Sequence, residues 1–462
     1  MELKSQSKMG APRLALVYSV FAALPIALLL MVFESGKSLS IVGGGILPTV
    51  AARAVPMPNV VLLLIQIAVI LLVSRLMGEI FKKIGQPQVV GEMVAGLLLG
   101  PSLLGWIAPK IYNELFPSSS LGFLNAISQV GVLIFMFLVG LELDHQLLRR
   151  QTKRALMTAH GSIAVPFVCG ALLAFAIYPT VSSKGVPFSD FALFFATATS
   201  ITAFPVLARI LAEKKLLATE IGGLAMSTAA IADVVAWIIL AAVIALVRSG
   251  GAAGELAMTI ARFVIFMIVM LVVVRPGLAV IFKDVETDHQ MGRGRVAILF
   301  GVIFVSAAAT EWLGVHALFG AFIAGIIMPK HASLVQLLTN KLEDFTIVLL
   351  LPLFFTFTGL RTEIGLISDI SMVILCIGVI LMATASKVLG TAVSARCAGL
   401  SWKTSLSLGV FMNARGLMEL IVLNVALDLK VISPEIFTIM VMMALVTTFV
   451  TGPFYDFMNR RL

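Results

Sequence analysis

The chain is built from long apolar runs separated by short polar stretches. About 20 helical residues carry a chain across the ~30 Å hydrocarbon core of a bilayer. Thirteen apolar segments on that scale follow residue 58: 59–81, 87–107, 121–143, 155–178, 188–211, 217–247, 254–281, 296–313, 315–329, 344–361, 369–397, 403–429 and 434–455. One more, at 14–33, follows Lys4, Lys8 and Arg13. It reads as a retained helix starting in the cytoplasm rather than a signal peptide, because the small-residue stretch Ala52-Arg53-Ala54 lies too far downstream for an ordinary cleavage site. Residues 34–58 carry Gly and Pro and read as an external loop. The predicted fold is an all-α polytopic membrane protein.

The pattern also repeats. Val94-Ala-Gly-Leu-Leu-Leu-Gly-Pro101 in the second of the thirteen spans matches Ile323-Ala-Gly-Ile-Ile-Met-Pro329 in the ninth. Phe135-Met-Phe-Leu-Val-Gly-Leu-Glu142 in the third matches Phe354-Phe-Thr-Phe-Thr-Gly-Leu-Arg361 in the tenth. Both pairs lie seven spans apart, so the two copies enter the membrane from opposite sides. Secondary transporters are built on such inverted repeats, with substrate held near the midplane where helices are broken. The same offset pairs Thr199-Ser-Ile-Thr-Ala-Phe-Pro-Val206 in the fifth span with Phe411-Met-Asn-Ala-Arg-Gly-Leu-Met-Glu419 in the twelfth. Pro205 removes a helix hydrogen bond, and Asn413 with Gly416 permits unwinding. Two breaks at mid-membrane are therefore expected.

Composition agrees with the pattern: 60% of residues are apolar and 12% charged, where a soluble protein has about half and a quarter. The net charge of +9 is no nucleic-acid footprint, because Lys and Arg collect on the cytoplasmic side of membrane proteins. If span one runs inward, the cytoplasmic loops hold Lys82, Lys83, Arg149, Arg150, Lys153, Arg154, Arg209, Lys214, Lys215, Arg275, Lys283, Arg293, Arg295, Lys330, Lys341, Arg396 and Lys403. The C-terminus, with Arg460 and Arg461, is then cytoplasmic. Cys169, Cys376 and Cys397 have no metal-ligand spacing and predict no disulfide. The five histidines form no i, i+4 pair, and no nucleophile–base pair stands out, so an enzyme is not expected. A channel lacks support, since neither a filter-like carbonyl loop nor a ring of repeated acids is present.

The candidate chemistry is a single carboxylate. Asp233 is the one charge in the apolar run from Ile221 to Val247. Placing it mid-span costs about 2.5–3.5 kcal/mol on insertion scales, so a cation- or proton-handling role is expected. Lys387, in Thr384-Ala-Ser-Lys-Val-Leu-Gly390, is as deep and needs a partner or a shifted pKa. Thr202 and Thr199 are the hydroxyls nearest the first break. With Thr228 on the Asp233 helix they are the candidate cation ligands. Arg415 and Glu419 stand four residues apart, close enough to neutralise each other or to act at the second break. Glu92, Glu311 and His316 near span ends, and His160, read as structural.

These stretches also carry a family resemblance. Thr202-Ala-Phe-Pro-Val-Leu-Ala-Arg209, Asp233-Val-Val-Ala-Trp237, Gly314-Val-His-Ala-Leu-Phe-Gly-Ala-Phe-Ile-Ala-Gly325, Lys387-Val-Leu-Gly390 and Met412-Asn-Ala-Arg-Gly-Leu-Met-Glu-Leu420 resemble the second branch of the monovalent cation:proton antiporters. Within it they are similar to the plant exchangers and their yeast and bacterial relatives. The similarity runs from about 59 to 455. It implies thirteen helices in two inverted six-helix units with crossed broken helices and one linking helix. By resemblance, residues 1–58 stand apart from an antiporter domain at 59–462. Helices at 59–143 and 296–361 would form a dimer scaffold, those at 155–247 and 369–455 a mobile core, and 254–281 a linker. The resemblance implies a homodimer in a bilayer, exchanging K+ (favoured) or Na+ for H+ by an elevator-like cycle without cofactors; the bacterial inner membrane is the expected location, and with Ala232 leaving one carboxylate at the site the exchange is expected to be electroneutral. Asp233 would be the cation- and proton-binding carboxylate and Lys387 the buried lysine of the core. A cation-coupled symporter of an organic anion is the alternative. Three departures stand out. Ala232 occupies a position usually filled by Asn, Asp or Gln, the helix at 14–33 is extra, and the chain stops soon after the last span, so no cytosolic regulatory domain is expected.

Overall fold

The computed structural model describes residues 60–142, 152–217, 219–250, 253–283 and 292–461. The expected helix at 14–33 lies outside them. All regular structure among the described residues is helical. That follows from the setting, since in lipid a span must satisfy its backbone internally. Among the described residues eleven helices are long and apolar enough to cross a membrane; one bent pair and one shorter apolar helix complete the thirteen predicted segments.

The first three spans are α1 (Val60–Lys83), α2 (Gln88–Leu99) and α3 (Ser118–Glu142). Next come α4 (Thr152–Val181), the interrupted pair α5 (Phe188–Ser200) and α6 (Phe204–Glu213), and α7 (Glu220–Arg248). A link, α8 (Ala253–Val269), leads to α9 (Arg293–Trp312), α10 (Ala317–Ile327), α11 (Ala332–Phe345) and α12 (Leu351–Leu360). The last are α13 (Ile370–Cys397), the interrupted pair α14 (Trp402–Met412) and α15 (Leu417–Asp428), and α16 (Pro434–Arg461).

The predicted segment 344–361 needs correction. Its helix begins at Ala332, so Lys341 lies on α11 instead of in a loop. α11 passes into α12 through a π-helical turn at Thr346–Leu350, immediately before Pro352. A matching π turn at Met270–Val274 precedes Pro276 and continues α8 into Arg275–Ile281. A proline cannot donate to the carbonyl four residues back and its ring crowds that group. Shifting the ladder by one residue relieves both, which is why the helices continue.

The helices fall into two sets that pack chiefly within themselves: α1–α3 with α9–α12, and α4–α7 with α13–α16. In the first set the repeated glycine motifs interlock across the repeats. A Cβ on Gly359 of α12 would lie 2.1 Å from the backbone of Gly96 on α2, and one on Gly325 of α10 2.1 Å from the Phe137 carbonyl on α3. Any side chain there would force the helices apart. Lys83, Lys214 and Arg396 mark one end of the molecule, called here the basic end. At the other end two ion pairs join the sets: Arg361 to Asp428 at 2.6 Å and Arg248 to Glu311 at 2.7 Å. Arg361 also donates to Asn424 at 3.1 Å.

Candidate functional site

The site grows out of two interruptions. The fifth span breaks at Ile201–Ala203, which run extended between α5 and α6. Pro205 does not kink a continuous helix. It sits in the first turn of α6, where its missing N–H costs nothing. The second break is Asn413–Gly416, and the half-helices on either side bend by 46°. Gly416 has φ 157°, and a Cβ there would meet Val206 Cγ2 of α6 at 2.9 Å. The two breaks satisfy each other: Ala203 N–H donates to the Ala414 carbonyl at 3.0 Å, and Thr202 Oγ1 to the Met412 carbonyl at 3.1 Å.

A helix leaves its last four carbonyls without intrahelical partners. In α5 these belong to residues 197–200, and all four are taken. Ser200 Oγ donates to the Thr197 carbonyl at 2.8 Å. Arg415, fully buried, donates to the Ala198 carbonyl at 2.8 Å and the Thr199 carbonyl at 2.6 Å. Lys387, also fully buried, donates to the Ser200 carbonyl and to that of Ser162 at 3.0 Å. The Ser162 carbonyl is available because Pro166, four residues on inside α4, has no N–H to give it. Sequence reading missed Pro166; a proline within a long apolar run was the signal.

Asp233 is 4% exposed and faces the other half-helix. Its Oδ2 lies 3.4 Å from the Phe204 N–H, at the amide end of α6, where the helix dipole favours negative charge. Among the described residues its Oδ1 has no hydrogen-bond partner, and neither do Thr228 Oγ1, Asn413 Oδ1 or Glu419 Oε1. The other Glu419 oxygen is 3.4 Å from Arg415. Asp233, Lys387, Arg415 and Glu419 interact electrostatically. Fully ionised, the four sum to zero.

The predicted ligands divide. Thr202 stands at the meeting of the breaks. Thr199 turns its hydroxyl away, donating to the Ala196 carbonyl at 2.9 Å and the Pro166 carbonyl at 3.3 Å, while its own carbonyl faces Arg415. Thr228 precedes Asp233 by five residues, roughly 140° round the helix, so the two side chains leave α7 on different faces. Thr448 of α16 was not anticipated: its hydroxyl accepts from Arg415 N–H at 2.9 Å and pins the second break.

Away from the basic end, Asp233 lines a cavity of about 10 Å³ together with Ile201, Ala236, Trp237, Leu240, Met418 and Val422, room for about one water. Trp237 packs on Phe319 and Phe322 of α10, with ring centroids 5.7 and 6.2 Å away.

With this geometry in place the comparisons are direct. The model of the transmembrane sodium/hydrogen exchanger family matches residues 67–458. The chain belongs to that family. As a family member it is 40% identical over 396 residues to the Na(+)/H(+) antiporter NhaS4 of Synechocystis, covering 86% of this chain and 96% of that one. It is 41% identical over 392 residues to Cation/H(+) antiporter 17 of Arabidopsis thaliana and 36% identical over 406 to K(+)/H(+) antiporter 1 of Saccharomyces cerevisiae. In each of those two the match covers 85% of this exchanger chain but only 48% and 46% of the relative's length. The solved structure of the sodium proton antiporter MjNhaP1 from Methanocaldococcus jannaschii at pH 8 shares the fold, with a TM-score of 0.61 at 14% identity, covering 86% of this chain and 96% of that one.

Proposed function

We propose that the protein is a secondary transporter exchanging a monovalent cation for protons, with Asp233 carrying both. One observation carries this reading: a single buried carboxylate lies against the amide end of α6 where two interrupted helices meet. A carboxylate holds either a proton or a cation, and that exclusion couples the two fluxes. The printed names of the relatives include both Na(+)/H(+) and K(+)/H(+) antiporters. We assign potassium ahead of sodium. Ala232 adds no ligand, and Arg415 and Lys387 already occupy the α5 carbonyls. Few oxygens remain to replace a hydration shell, and the smaller of two cations dehydrates more reluctantly.

In this reading α1–α3 and α9–α12 form the scaffold of a homodimer, and α4–α7 with α13–α16 form a core that moves against it in elevator fashion. Every buried charge of the site lies on the second set, which supports the division. The basic end faces the cytoplasm, with the C-terminus, of a bacterial inner membrane. Exchange is one-for-one and electroneutral, because protonated Asp233 and cation-bound Asp233 carry the same charge, whereas an ionised empty site would cross at a cost of several kcal/mol.

The test is reconstitution into liposomes with an internal pH dye. Potassium, sodium, lithium and rubidium are added in turn, with the membrane potential clamped by an ionophore for an untransported ion. Potassium should drive the fastest dequenching, at rates independent of potential. Cation-independent pH would sink the antiport reading, and an opposite sign of pH change would point to symport. Steep dependence on potential would overturn electroneutrality and implicate Lys387 as a second proton carrier.

A further inference from the structure

We propose that Arg361 is a further positioning residue for exchange: with Asp428 it forms one of two latches that hold the helices carrying the site at one height against the first helix set. This rests on the reading that the core moves against the scaffold.

The latch is built where the end of α12, in the first set, meets α15 of the second. Thr358 and Arg361 stand three residues apart, and Asn424 and Asp428 four apart, so each pair shares a helix face. The contacts interleave. Arg361 donates to Asp428 at 2.6 Å and to Asn424 Oδ1 at 3.1 Å, while Asn424 Nδ2 donates to Thr358 Oγ1 at 2.8 Å. The guanidinium lies over Phe357 and over Phe437 of α16, 5.4 and 5.9 Å from the ring centroids. Beside it the Glu363 amide donates to Thr438 Oγ1 of α16 at 3.3 Å. An exposed ion pair alone holds little. Here Asn424 and Thr358 are buried, and a polar group left unpaired in such a place is costly.

The second latch has the same form. Arg248, the last residue of α7, donates to Glu311 of α9 at 2.7 Å, and the other Glu311 oxygen accepts from the Ala317 N–H at 2.8 Å, so the first set holds the acceptor in place. What the two latches grip is the site. α7 carries Asp233, about 22 Å from Arg248 at 1.5 Å per residue. α15 starts from the second break and carries Glu419, and Asn424 donates to the neighbouring Leu420 carbonyl at 2.9 Å. A tie at the end of each helix therefore fixes the height of the carboxylate on it. A slide of one helical turn, about 5.4 Å, takes both ion pairs beyond hydrogen-bond reach. Every crossing must open both, and both favour the arrangement described above.

The experiment uses the full chain in right-side-out and everted vesicles, with potassium and sodium as probes. Apparent affinity at each face scales with the population of the state open to it. In Arg361→Gln the apparent KM should therefore rise on one face and fall on the other, and their ratio should shift about threefold to tenfold, as for a partly exposed pair with a hydrogen bond behind it. Asp428→Asn and Arg248→Gln should shift the ratio in the same direction, and Arg361→Glu with Asp428→Arg should bring it back towards the wild type. An unchanged ratio, equal changes on both faces, or opposite directions from the two latches would each overturn the proposal. Should Arg361→Gln fail to accumulate, Asp428→Asn and Arg248→Gln, at partly exposed positions, carry the same test. Movement of the core is read separately. Arg361→Cys with Asp428→Cys, in a chain whose Cys169, Cys376 and Cys397 are replaced by Ser, is joined by a cleavable thiol cross-linker. Exchange should stop, and return on cleavage. Exchange that continues with the link intact would defeat the moving-core reading itself, whereas blocked exchange beside unchanged KM ratios would defeat the latches alone.

Discussion

At the first break the chain presents Asp233 with a helix amide end, while the carbonyl end of the same broken helix is closed by Arg415 and Lys387. At the second break the carbonyl end receives only neutral donors, the Thr202 hydroxyl and the Ala203 amide. The repeats match in topology and differ in charge. Both buried cations belong to the second repeat and both end on the first. In the proposed reading the first break handles the transported ion, and the second repeat supplies the charges that close the carbonyl end of the first. Half-helix carbonyls are a natural cation site, and here the protein's own cations occupy them, which supports the proposal that Asp233 is the group that meets the mobile ion.

The most severe way to break this comparison is to remove Asp233. Asp233→Asn keeps volume but can neither release a proton nor offer full charge, so exchange in the pH-dye assay should fall below detection while the protein still migrates as the folded species. Activity near wild type would end the assignment. Next come the plugs. Arg415→Leu abandons two carbonyls and leaves Glu419 unpaired, and removing one member of a buried pair costs about 3–5 kcal/mol. Lys387→Leu frees two carbonyls but strands no charge that it directly contacts, for which about 1–3 kcal/mol per unsatisfied group is expected. Thermal unfolding in detergent should therefore rank Arg415→Leu below Lys387→Leu, and the reverse order would mean that Lys387 carries the second break. The mildest change is Thr202→Val, which cuts the hydroxyl tie between the breaks. A net hydrogen bond of about 1 kcal/mol corresponds to roughly fivefold, so apparent cation affinity should weaken by about that much with little change in maximal rate. An unaltered affinity would reduce Thr202 to a helix cap.

Much of this arrangement was legible in the chain. Apolar length gave the spans, because a bilayer leaves a helix few alternatives. Asp233 stood out because a lone charge in a span is expensive, and the two breaks because proline and glycine recur at matching places. What stayed hidden was azimuth and partnership. Five residues between Thr228 and Asp233 look close in sequence and point to different faces. The partners of Arg415 are carbonyls 216 and 217 residues away, which no local pattern encodes. The π turns before Pro276 and Pro352 were likewise unreadable, since a proline signals trouble for a helix without saying whether it stops or shifts its ladder.

The plugged end of α5 bears on how the protein is made. Its last three carbonyls are completed by side chains between 187 and 217 residues further along the chain. When the ribosome has delivered the first repeat, that helix end is still unfinished, because the donors that will complete it, Lys387 and Arg415, are unsynthesised. Closing this helix end is then a late step between halves, and a half-length product lacks the donors that complete it.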